Sequence, residues 1–258
     1  MRFIGIDLAW SPRNATGAAI LEGDVVQGRL VETKLLRSDN EIIDFVVQHA
    51  VTGPALVAID APLAVPNQTG RRPAEAEISR RFARYHAGAH PVNRNRLAFN
   101  GIVRGEVLVA ELERQGFVHA TEVRAQVPVR QIVEVYTHPA LIAFFDLPRI
   151  IRYKAKPHQT HEQRLAEFMR FQGLLRSLAH ADPALLDADD LLSRDITTLI
   201  KARLKDYEDL LDGLLCAYIA QYLWCWGMAR AHVFGNMQEG YITTPVPRAD
   251  WHNPDTSP

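Results

Sequence analysis

Two short apolar runs, Phe3-Ile4-Gly5-Ile6 and Leu56-Val57-Ala58-Ile59, each stop on an aspartate, Asp7 and Asp60. A third run, Ile132-Val133-Glu134-Val135-Tyr136, carries its carboxylate inside. Apolar runs of this length without alternation read as strands covered on both faces, which makes the chain an α/β protein. An acidic pair at i, i+3, Asp209 and Asp212, opens the most apolar helical stretch of the sequence. If these carboxylates converge they repel, by roughly 4 kcal/mol for a pair about 4 Å apart at an effective dielectric near 20. Protons or cations must then compensate them. A donor set made only of carboxylate oxygens suits Mg²⁺ or Mn²⁺.

The rest of the chain arranges itself around these runs. Residues 2–8, Thr16–Glu22 and Val25–Thr33 read as an antiparallel meander, with Gly23-Asp24 as a turn. Ser38 and Glu41 form a capping-box pattern ahead of a helix that ends at Gly53-Pro54. The strand at 55–60 follows that helix and should run parallel to an earlier strand through a crossover. Helices are expected at 74–86, 105–115, 139–145, 161–179, 189–203 and about 205–230, with a fifth strand at 131–136. Tyr241–Val246 is expected to return to the sheet edge.

This order predicts a ribonuclease H-like topology. It is a five-stranded mixed sheet, antiparallel over the first three strands and parallel over the fourth and fifth, flanked by helices. The chain reads as one domain over 1–258, with helical and loop insertions at about 67–128 and 150–204. Asp7, Asp60 and Glu134 are expected on adjacent strands, with the last helix delivering Asp209 and Asp212 and Gly213 allowing its close approach.

With 258 residues, 47% of them hydrophobic and 23% charged, the chain can bury a substantial core. No apolar run reaches the roughly 20 residues that span a bilayer, so no membrane is expected. The N-terminus lacks the regions of a signal peptide, and cytoplasm is the expected location. Cys216 and Cys225 both fall in the apolar helix and read as core thiols. The net charge of −1 gives no general attraction to nucleic acid. Locally the chain is basic, with Arg71, Arg72, Arg80, Arg81, Arg84, Arg94, Arg96 and Arg104 following the Asp60 strand, and Arg149, Arg152, Lys154 and Lys156 later.

The runs ending at Asp7-Leu8-Ala9-Trp10 and Asp60-Ala61-Pro62-Leu63 can be taken with Val133-Glu134-Val135-Tyr136-Thr137-His138-Pro139, Tyr153-Lys154 and Asp209-Leu210-Leu211-Asp212-Gly213. Together they resemble the predicted nucleases of ribonuclease H fold catalogued as domain of unknown function 429. The resemblance implies that fold and a metal-dependent nuclease activity. This chain departs from the Holliday-junction resolvases of that superfamily, which place Glu where Asp60 stands.

The function expected is a two-metal nuclease that hydrolyses phosphodiester bonds of DNA or RNA with two Mg²⁺ or Mn²⁺ ions. Asp7, Asp60, Glu134 and Asp212 are the expected catalytic residues, and Asp7, Asp60, Asp209 and Asp212 the expected metal ligands. Arg72, Arg80, Arg81, Arg84 and Lys154 are expected to meet substrate phosphates. Each has a plainer alternative. Asp7 could cap a turn, Glu134 could form a buried ion pair with Arg152 or Lys154, Asp209 could favour a helix N-terminus, and the arginines could be a solvated helix face. His138 is a possible proton donor. Two rival functions remain open: a sugar-kinase or actin-like phosphotransferase, and a non-catalytic nucleic-acid-binding protein on a nuclease-like fold.

Overall fold

The computed structural model describes residues 1–51, 53–155 and 157–247, so Lys156 lies outside it. Strands β1 (Arg2–Asp7), β2 (Thr16–Gly23) and β3 (Gln27–Leu36) form the expected antiparallel meander. Helix α1 (Asp39–His49) crosses over to β4 (Ala55–Ile59), which pairs parallel with β1. Ser38 caps α1 through the Glu41 amide at 3.2 Å, while the Glu41 carboxylate reaches past it to the Arg37 amide. After α2 (Pro73–Arg81), α3 (Arg94–Leu97) and α4 (Arg104–Arg114), the short β5 (Val118–His119) leads to β6 (Arg130–Glu134). The strand β6 is the expected fifth strand and lies parallel to β4.

Helices α5 (Thr137–Phe145) and α6 (His161–Ser177), strand β7 (Ala184–Leu186), the one-turn α7 (Asp189–Leu192) and the long α8 (Ala202–Trp226) follow. Among the described residues the sheet has seven strands in the order β5-β6-β4-β1-β2-β3-β7. The five expected strands are its contiguous centre. The short β5 and β7, each parallel to its neighbour, extend the two edges and correct the five-strand expectation.

Two other expectations change. Tyr241–Val246 does not join the main sheet. Residues 240–245 form β9, which pairs with β8 (Ala231–Asn236) in a separate hairpin. The expected helix 189–203 stops after one turn. Downstream, the Asp195 carboxylate accepts from the Thr197 amide at 2.9 Å and the Thr197 hydroxyl at 2.6 Å, a local turn that competes with helix.

Both sheet faces are covered. Phe3, Leu56, Ala58, Val133 and Val135 face a core shared with α8, while Ile4, Ile6, Val57, Ile59 and Ile132 face α1 and α4. Helix α8 is buried around nearly its whole circumference. It lies backbone-to-backbone on the sheet because Gly5 and Gly17 have no side chain beneath it. A Cβ at Gly5 would stand 2.0 Å from the Ala217 nitrogen, and one at Gly17 1.7 Å from the Asp209 oxygen. Gly213 completes the contact from the helix side, as expected, for a Cβ there would meet the Gly17 backbone at 2.8 Å. No helix among the described residues is long and apolar enough to cross a membrane.

Candidate active site at the strand ends

The Asp60 amide donates to the Ile6 carbonyl at 2.9 Å, and Ile6 pairs with Ile59 in the ladder. Asp7 and Asp60 are therefore ladder neighbours on parallel strands, about 4.8 Å apart in the backbone. Alternation puts both on the face of Gly5 and Ala58, beneath α8. Glu134 does not join them. It pairs with Ile59, and the Val135 amide donates to the Ile59 carbonyl at 2.9 Å, so Val135 is the ladder neighbour of Asp60. One residue of register sends Glu134 to the opposite face.

There Glu134 is buried in a polar knot. Arg72 donates to its two oxygens at 2.5 and 3.0 Å, and the Leu63 amide adds a bond of 2.7 Å. The Arg72 guanidinium also grips Glu75 at 2.5 and 2.8 Å and the Ala64 carbonyl at 2.9 Å. Glu134 is thus half of a buried ion pair, as the plainer alternative held, but its partner is Arg72 and not Arg152 or Lys154. Arg72 itself has no exposed side-chain surface, which corrects its expected place among phosphate-facing residues.

The acids of α8 come down above the Asp7 side. Asp212 is completely buried. Its Oδ1 accepts from the Tyr153 hydroxyl at 2.5 Å, and its Oδ2 lies 2.9 Å from the Lys154 ammonium. That second contact is close but lacks hydrogen-bond geometry, so Oδ2 is left without a hydrogen-bond donor. Asp209 sits one turn earlier over Gly17, which faces Asp7 across the ladder, and is paired with Lys205. Tyr153 is fixed by stacking on Phe171 at 4.1 Å, and its carbonyl accepts from Arg164, which binds Glu208 of α8 at 2.9 Å. Thr137, the first residue of α5, donates its hydroxyl to Asp60 Oδ2 at 2.8 Å.

These groups feel one another. Burial raises the Asp7 carboxyl well above the usual carboxylate range; Lys154 pulls it back, while Asp212, Asp60 and Asp209 push it further up. Asp60 is raised by burial and lowered by Lys154 and Thr137. Asp209 is pushed up to about 6 by burial against the pull of Lys205. Burial alone would lower the Lys154 ammonium, but Asp212, Asp7 and Asp60 raise it well above its ordinary value. Asp7, Asp60, Asp209 and Asp212 form one electrostatic cluster with the Lys154 ammonium.

A Mg²⁺ or Mn²⁺ ion fits the chemistry of this cluster. The donors are hard carboxylate oxygens, and the buried Asp212 Oδ2 lacks a hydrogen-bond partner. As the side chains stand, no group of three or more His, Cys, Asp or Glu among the described residues is arranged around an ion. The Lys154 ammonium is the cation beside Asp212.

The remaining expected residues are peripheral or differently engaged. Arg80 is exposed, Arg81 lies 3.5 Å from Glu77, and Arg84 covers the Tyr85 ring at 4.6 Å. The His138 Nδ1 is 2.9 Å from the Tyr136 hydroxyl, which donates to the Gly88 carbonyl at 3.1 Å. Cys216 and Cys225 are free and buried. Sequence reasoning assigned no role to Thr137 or to the Tyr153 hydroxyl. Both adjoin segments it singled out, and a polar residue following a strand at a helix start was the available signal.

No curated protein matches this chain. Residues 5–236, which include every acid of the cluster, match the family model described as protein of unknown function (DUF429), and the chain belongs to that family.

Proposed function

We propose that this protein is a divalent-cation-dependent hydrolase of phosphodiester bonds, a nuclease on a ribonuclease H-like fold. The observation that carries the reading is the pairing of Asp7 with Asp60 at the ends of adjacent parallel strands, with Asp212 lowered onto them by α8. The central strand order β3-β2-β1-β4-β6, antiparallel on one side of β1 and parallel on the other, supports the fold assignment.

Asp7, Asp60 and Asp212 would hold Mg²⁺ or Mn²⁺, and Asp209 joins them if Lys205 lets go. A bound ion would polarise a phosphoryl oxygen and acidify a water. Hydrolysis forms one bond from a water oxygen to phosphorus and breaks one ester bond. Asp60, oriented by Thr137, takes the proton that the water loses. Lys154, released from Asp212, neutralises charge on the leaving oxygen, which gains its proton from solvent. Nucleic acid, DNA or RNA, is the proposed substrate, with Arg80, Arg81 and Arg84 as phosphate contacts outside the cluster.

The test is cleavage of labelled single-stranded, duplex and branched oligonucleotides with Mn²⁺ or EDTA. Cleavage that needs Mn²⁺ and is lost in Asp7→Asn, Asp60→Asn and Asp212→Asn supports the reading. Cleavage by the three variants at the wild-type rate would sink it.

A further inference from the structure

The strand ends that carry the acids run straight on into the walls of a slot. Its lining includes Trp10, three residues after Asp7, then Asp60 with Ala61 and Pro62, and Val135 and Tyr136 beyond β6. Crevices outside the carboxyl ends of parallel strands are where open α/β sheets bind ligands. This one has a volume of about 70 Å³, several times the 10–15 Å³ or so that one water needs. It is of a size for part of one flat ring.

Its chemistry disfavours a phosphate, because three carboxylates line it and its guanidinium is already paired. The guanidinium in its lining belongs to Arg72 and is committed to Glu75 and Glu134; Asp60, Glu75 and Glu134 are carboxylates, and His90 is an imidazole. Apart from His90 and the Tyr136 phenol, the remaining walls are apolar. The rim carries an indole that is 47% exposed, an unusual position for the largest apolar side chain. An exposed tryptophan beside such a slot offers a face on which a planar ring can stack.

We propose that the slot takes one edge of the base of a nucleoside unit, stacked on Trp10, whose attached phosphodiester then lies at Asp60 and Lys154. The inference rests on the phosphodiesterase reading and adds to it a base-binding subsite with Trp10 as its stacking residue.

Two measurements test it. The first is quenching of tryptophan fluorescence by thymidine or uridine, which carry the ring without the phosphate, with inorganic phosphate as the control probe. Nucleoside quenching in the wild type that disappears in Trp10→Phe and survives in Asp7→Asn is expected. The second is cleavage of an oligonucleotide in Mn²⁺. Trp10→Ala should lower kcat/KM about tenfold, and the difference should vanish on a substrate with an abasic site at the cleaved position. Cleavage with equal kcat/KM in wild type and Trp10→Ala on normal and abasic substrates overturns the slot and leaves the nuclease reading standing. Nucleoside quenching that depends on Trp10, without cleavage of any phosphodiester, supports the slot and overturns the nuclease reading.

Discussion

Lys154 holds its ammonium 2.9 Å from Asp212 Oδ2, while its neighbour Tyr153 occupies Oδ1 at 2.5 Å. Two consecutive residues from one loop therefore clamp both oxygens of a carboxylate with no exposed surface. The clamp gives a positive charge and a hydroxyl donor to the acid that α8 carries into the core. Lys154 is the internal counter-ion.

Removing that counter-ion should expose the repulsion it hides. Lys154→Met leaves Asp212, Asp7 and Asp60 uncompensated. Breaking a buried pair from one side costs about 3–5 kcal/mol. Because Lys154 is 30% exposed, roughly 2–3 kcal/mol is expected in EDTA. Urea denaturation measures it, and added Mn²⁺ should restore part of the loss.

Asp7→Asn should act in the opposite direction. The folded Asp7 carboxyl is raised, so over a window that starts near pH 4 the native state keeps a proton the unfolded chain has released. The stability from that proton is full below the ordinary carboxylate range and is lost as pH rises through the folded value. Without metal at pH 8, Asp7→Asn should be more stable than wild type by roughly 1–2 kcal/mol, or about 2–8 °C in Tm. Its stability should also decline less between pH 4 and 8. A lower Tm than wild type would make Asp7 a structural cap.

Glu134 should behave unlike the other acids. Glu134→Ala leaves Arg72 buried with one partner fewer, and Arg72→Met leaves Glu134 and Glu75 unpaired. Each should lose about 3–5 kcal/mol by chemical denaturation. The folded fraction should still bind Mn²⁺ as wild type does, because the Glu134 carboxylate is engaged by Arg72 and the Leu63 amide and not by the Asp7 cluster.

The contrast between Asp60 and Glu134 also shows what was legible in the sequence. Apolar runs ended by Asp7 and Asp60, and a third carrying Glu134 inside, marked β1, β4 and β6 and gave the central topology. They could not give the face of each acid, because strands covered on both sides have no polar alternation to read. The partner of Glu134 was hidden for another reason. Arg72 is 62 positions away, and nothing local to either residue announces the pair. Lys154 was singled out as a basic residue, but its partner depended on where α8 lands, which Gly5, Gly17 and Gly213 decide together. The hairpin of β8 and β9 was misplaced because its apolar residues pack over the end of β6, as a sheet edge would. The Tyr241 hydroxyl accepts there from the Glu134 amide at 2.9 Å.

The surface arginines have their own test. Replacing Arg80, Arg81 and Arg84 together with Gln should weaken oligonucleotide binding in Ca²⁺ and flatten its salt dependence. Each lost phosphate contact lowers the slope by about 0.9 on duplex DNA and about 0.7 on single strands. Fluorescence anisotropy at several salt concentrations reads it. Identical slopes in wild type and variant would make these arginines a solvated face.

We propose one cation site made by Asp7, Asp60 and Asp212, with Glu134 outside it. Calorimetric titration with Mn²⁺ tests this most directly, on wild type, Asp7→Asn, Asp60→Asn, Asp212→Asn and Glu134→Gln. The prediction is saturable binding by wild type and Glu134→Gln, with a loss of at least tenfold in affinity in each aspartate variant. Wild type that takes up no Mn²⁺ at millimolar concentration, or aspartate variants that bind it unchanged, would contradict the account.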